Sequence, residues 1–215
     1  MSSSPTWPPA NGLTTISVPR EKAALALLGS AKINAPASLV FDIIRNTQNY
    51  KWNSWIPNVT IKAQPDGTPT DSMQLVKDTA FDFHAIMDSS KPNSPFEVHL
   101  IVSDISTPES PSDYVPIETL QNDGTFTSDL STVYRIAWKR RPGSDWMGNM
   151  LSCERFHEVI VTGEQECLIR TWENQGAALA YMVKWTMNRK LQGLFQGWCD
   201  DLKNESEKQA KGTAA

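Results

Sequence analysis

Between Ala177 and Lys208 the sequence has no proline, and its only glycines are Gly193 and Gly197. Across this stretch Leu179, Met182, Val183, Met187, Leu191, Leu194, Trp198 and Leu202 recur at helical spacing. The spacing predicts one amphipathic helix of about 30 residues, near 45 Å long. A stripe of that length needs a single broad surface to cover it. The preceding segments supply one, because they alternate. In "TAFDFHAIMD", Phe81, Phe83, Ala85 and Met87 oppose Asp82, His84, Ile86 and Asp88. In "PFEVHLIVSD", Phe96, Val98, Leu100 and Val102 oppose Glu97, His99, Ile101 and Ser103. In "STVYRIAWKR", Tyr134, Ile136 and Trp138 oppose Val133, Arg135, Ala137 and Lys139. Alternation of this kind marks an antiparallel sheet with one covered and one wet face. The class is α+β: a curved antiparallel sheet wrapped round a long C-terminal helix, an arrangement that leaves a cavity between the two.

The rest of the chain fits around this frame. Residues 1–22 are rich in Ser, Pro, Thr and Asn and read as a flexible arm. "ALALLGSAKINA" reads as the first strand. Two short helices follow: "PASLVFDIIRN", with Pro36 in its first turn and Val40, Phe41 and Ile44 on one face, and "NTQNYKWNSWIPN", with Trp52 and Trp55 free to pack. "VTIKAQ" is a short strand ended by "PDGTP". Residues 106–128 and 140–152 read as long loops. The expected domain is 23–208, with a disordered tail at 209–215.

Charge and cysteine usage narrow the function classes. A formal net charge of −4 argues against a nucleic-acid partner, and the local run "KRRPG" reads as a solvated strand end. Cys153, Cys167 and Cys199 are too few, and odd in number, for a disulfide framework. No apolar run approaches the roughly 20 residues of a membrane span, and "MSSSPTWPPANG" has no signal-peptide pattern. The expectation is a cytoplasmic protein, monomer or homodimer, with reduced thiols.

"CERFHEVIVTGEQECLIRTWENQG", Cys153 to Gly176, concentrates the reactive residue types. Cys153 and His157 stand about 13 Å apart on a strand, too far to share one ion. With Gly163 and Glu164 as the hairpin loop, Thr162 faces Gln165 and His157 faces Arg170. Phe156, Glu158, Ile160, Cys167, Ile169, Thr171 and Glu173 then share the interior face. Arg155, His157, Val159, Leu168, Arg170 and Trp172 share the outer one, where Trp172 could lie under Arg155. On this register no histidine reaches the interior, because His84 and His99 also fall on polar faces. No metal site and no His-based nucleophilic constellation result. Glu158 and Tyr134 remain as candidate catalytic residues. An unpaired carboxylate in an apolar cavity tends to stay protonated, which suits general acid–base work; the alternative is a structural carboxylate bonded to backbone or hydroxyl groups. Glu173, at a strand end, reads as capping or exposed. The candidate ligand-binding residues are Phe83, Met87, Val98, Leu100, Ile136, Trp138, Phe156, Ile160, Ile169, Thr171, Met187, Leu191 and Leu194.

Several segments, "INAPASLVFDIIRNTQNYKWNSWIPNV", "YRIAWKRR", "ERFHEVIVTG", "RTWENQGAALAYMVKW" and "LQGLFQGWCDDLKNESE", together resemble the START / SRPBCC superfamily with its helix-grip fold. The chain is similar in particular to fungal proteins grouped with polyketide cyclase/dehydrase and lipid-transport domains. The resemblance spans about residues 24–207. It implies an internal cavity for a hydrophobic small molecule such as a lipid, sterol or polyketide, and no cofactor. It also implies that the two long loops border the cavity mouth; their tips carry Tyr114, Trp146 and Met147, to act as a lid or simply to pack on the surface. An interior without histidine or arginine would depart from some members. The first function expected is ligand binding. The alternative is a cofactor-free cyclase, dehydratase or isomerase of secondary metabolism, using Glu158 as general acid/base. A third is a protein-interaction role with the cavity collapsed.

Overall fold

A computed structural model describes residues 6–144 and 150–213. Strand β1 (Leu25–Ile33) is followed by helix α1 (Ala37–Arg45) and a short 3-10 segment at Thr47–Trp52 that is kinked at Asn49. Strands β2 (Asn58–Ala63), β3 (Ala80–Ala85) and β4 (Phe96–Ser106) come next. A short helix α2 (Ile117–Asn122) precedes β5 (Val133–Arg140), β6 (Ser152–Gly163) and β7 (Glu166–Gly176), and α3 (Ala178–Thr213) closes the chain. The strands form one seven-stranded antiparallel sheet in the order β1-β7-β6-β5-β4-β3-β2. This is the expected α+β architecture, with α3 running along β1 and β7 on the concave side.

Strand β1 is a sheet edge, and α3 covers it. Gln192 accepts from the backbone N–H of Leu28 and donates to its carbonyl. One turn later Gln196 does the same for Ser30. Two glutamines four residues apart thus satisfy polar groups that would otherwise invite another strand. Between these contacts sits Gly29. A Cβ there would lie 2.7 Å from the carbonyl oxygen of Phe195 and 3.0 Å from Cys199 Sγ, so only glycine lets the helix come this close.

The concave face and α3 enclose the main core, in which Phe81, Phe83, Trp138, Trp198 and Leu202 are buried. The convex face departs from expectation, because it is covered as well. Trp172 and Phe156 stack there at 5.3 Å, beneath Leu13, Leu120 and Phe126. Their cover is the segment expected to be a flexible arm, together with the 106–128 segment, which contains α2. The Trp172 indole donates to the carbonyl of Thr14 at 2.8 Å, and Asn174 donates to those of Leu13 and Val18. Trp7 donates to the Thr125 carbonyl, and Arg20 pairs with Asp123. Helix α3 also runs on to Thr213, through residues expected as a disordered tail.

Candidate functional site

A one-residue slip in the β6–β7 hairpin decides what faces the cavity. Val161 pairs with Cys167 and Gly163 with Glu166, with a bulge between the two pairs. His157 therefore faces Thr171, Glu158 faces Arg170 and Arg155 faces Glu173. The parity expected for β5 and β7 holds, but that of β6 is reversed. A shift of one residue moves every side chain of a strand to the other face.

Glu158, expected in the interior, lies on the convex face. It is 0% exposed and accepts from Nε and Nη2 of Arg135 at 3.0 and 2.9 Å, and from the backbone N–H and hydroxyl of Thr127. Both partners of this ion pair are fully buried, so removing either would strand the other charge. Phe156 and Ile160 also lie on the convex face. Tyr134 keeps the concave face but packs on Phe41, with its hydroxyl 3.5 Å from Glu109. Tyr134 and Glu158 are therefore not brought together. Trp172 does not underlie Arg155, and Tyr114 sits on the convex side with its hydroxyl 2.6 Å from Glu154. Trp146 and Met147 lie outside the described residues.

Between the concave face and the first half of α3 is a cavity of about 340 Å³. Of the residues expected to bind ligand, Phe83, Met87, Val98, Leu100, Trp138, Met187 and Leu191 line it. Ile136 and Ile169 are core beside it, Leu194 packs within the helix-side cluster, and Thr171 stands behind an arginine. Trp55, Phe96 and Phe195 complete the aromatic lining.

One end of the cavity is polar, where Arg140, Cys153, Arg155, Glu173 and Gln175 line it. Arg155 is 3% exposed. Its Nε donates to Thr171 Oγ1 at 3.0 Å, while its Nη2 has no hydrogen-bond partner. The guanidinium lies 4.0 Å from the ring centre of Phe195 and 4.9 Å from that of Trp198. Burial lowers its pKa to about 10, so it is a cation at neutral pH. Directly across the ladder, the Glu173 carboxyl accepts from Gln175 Nε2 at 2.6 Å, and burial raises its pKa. His157 lies next along β6, wedged between Trp138 and Trp198 at 4.2 and 4.6 Å. Neither ring nitrogen has a partner, and burial, reinforced by Arg155, holds it neutral, well below its ordinary pKa. Burial pushes the Cys199 thiol up to about 12 and raises Cys153 too, so neither is activated as a nucleophile.

Sequence reasoning thus misses Arg155 and His157 and undervalues Glu173. Every residue from Cys153 to Val159 is buried, so β6 carries no wet face to set its phase. The available signal is Gly163 just before the turn, a residue type that often marks a bulge. On the outer face, Asp82, Glu97 and His99 bring potential metal-ligand atoms within 4.8 Å of one another. Asp82 is already paired there with His99, Lys62 and Arg141, which leaves little negative charge for a cation.

No protein-family model matches the chain. Oxopyrrolidines biosynthesis cluster protein O of Penicillium oxalicum is 27% identical over 201 residues, covering 88% of this chain and 90% of that protein. A hypothetical protein of Helicobacter pylori superposes with a TM-score of 0.62 at 15% identity, over 96% of this chain and 98% of its own. A START superfamily protein of Mycobacterium smegmatis gives 0.51 at 13% identity, over 86% and 98%. An aromatase/cyclase of Streptomyces sp. R1128 gives 0.55 at 9% identity, over 89% and 98%. The chain has the helix-grip fold of these structures. Among the described residues no helix is long and apolar enough to cross a membrane.

Proposed function

We propose that this chain binds a hydrophobic small molecule, of lipid, sterol or polyketide type, in the cavity beneath the first half of α3. The observation that carries this reading is the lining, which is aromatic and aliphatic on all sides but one. Its size is that of a small-molecule site. The helix half that forms one wall is thinly covered: Trp185 is 89% exposed, while Val183 and Met187 lean on the cavity. A neutral apolar dye such as Nile red should bind the purified protein and be displaced by apolar ligands. Leu100→Trp, which fills the space, should weaken dye binding more than 10-fold while the chain stays folded by circular dichroism. Equal dye affinity in the filled variant would sink the reading.

A second reading is a cofactor-free cyclase, dehydratase or isomerase. It is supported by the placement of Arg155 opposite Glu173 in the strand ladder at the polar end and by the relative named for a biosynthesis cluster. Glu173 would exchange a proton with a substrate carbon or oxygen while Arg155 held the developing oxyanion. Under it, Leu100→Trp loses turnover together with binding.

A further inference from the structure

Arg155 is an expensive residue to keep where it is. A charge taken out of water is costly unless paired. Among the described residues no carboxylate forms an ion pair with it. Thr171 satisfies Nε, and the aromatic rings attract the cation through its face. A ring face cannot accept the in-plane hydrogen bond that Nη2 offers. That donor is unpartnered, on a side chain that lines the cavity. The nearby polar groups leave Nη2 unsatisfied. Glu173 is the carboxylate opposite and attracts the guanidinium across the ladder, but it makes no hydrogen bond to Nη2 and its oxygen is engaged by Gln175. His157 is neutral, and the Tyr50 hydroxyl donates to the carbonyl of Ile44.

Resting on the proposed binding function, we infer that the ligand is amphipathic: an apolar body fills the cavity, and an anionic two-oxygen head, a carboxylate or the enolate of a 1,3-dicarbonyl, docks on Arg155. A planar guanidinium matches such a head through two N–H donors, which a lysine could not do. The rings of Trp55, Phe195 and Trp198 then shield the pair from water, where a charge-assisted bond is strongest.

The test compares heads at constant body. Dodecanoate, 1-dodecanol and a 2-dodecanoylcyclohexane-1,3-dione, which is an enolate at pH 7, are titrated as displacers of Nile red from the full chain. The two anions should bind more than 10-fold tighter than the alcohol, and the tighter of them identifies the head. Arg155→Met should erase that preference, so that dodecanoate and dodecanol bind this variant alike, whereas Arg155→Lys should keep part of it. The comparison of heads on the unaltered protein needs no variant and stands if Arg155→Met fails to fold. Equal binding of dodecanoate and dodecanol overturns the inference and leaves cavity binding intact. Failure of every compound to displace, with no Nile red bound, removes both.

Discussion

His157 and Glu158 are neighbours in sequence with opposite environments. Glu158 is ionically matched on the convex face, with Arg135 and Thr127 around it. His157 is buried with two unpartnered nitrogens. Such a histidine makes stability depend on pH in a calculable direction. Its folded pKa lies below its ordinary 6.5. Above about pH 6.5 neither state is protonated, and the residue contributes no pH dependence. Below it, the unfolded chain takes up a proton that the folded chain refuses, so stability falls as pH drops, by about 1.4 kcal/mol per unit for one proton. His157→Leu removes the group at similar volume. Urea unfolding should show the wild type losing on the order of 2 kcal/mol more than the leucine variant between pH 6.5 and 5. Parallel pH profiles would refute this account of His157.

At the scale of elements, the joint between α3 and β1 is where packing leaves least room. Gln192 and Gln196 close the sheet edge from the helix, and Gly29 lets the two backbones meet. Gly29→Ala must push the helix away from a carbonyl and a thiol. It should cost about 1–3 kcal/mol, despite the better intrinsic strand propensity of alanine. A thermal midpoint equal to that of the wild type would contradict this. The β6–β7 hairpin makes the complementary point. Its elements and its turn are legible in the sequence, but its register is not, because one bulge residue reverses a strand.

For the whole molecule, the sheet is a middle layer rather than an outer wall. Helix α3 covers the concave side, and residues 6–22 with the 106–128 segment cover much of the convex side. Trp7, Leu13 and Val18 anchor the cover. Deleting residues 1–18 should expose Phe156 and Trp172 and remove the acceptors of Trp172 and Asn174. At about 1.5–3 kcal/mol for each buried apolar side chain, the loss should exceed roughly 3 kcal/mol. Urea midpoints of the truncated and full chains measure it, and equal midpoints would mean the arm is dispensable.

The long helix, the alternating strands and hence the helix-grip architecture follow from local periodicity, which the sequence carries residue by residue. So do most of the apolar cavity wall, from Phe83 to Leu191, and the outward placement of His84 and His99. Three features come only from tertiary structure. The arm is buried because Trp172 and Asn174, far along the chain, need its carbonyls. The phase of β6 is set by a bulge and by cover on both faces, neither of which leaves a period. The polar end of the cavity depends on that phase: Arg155, not Glu158, faces the cavity with Glu173, because the ladder pairs them across the hairpin.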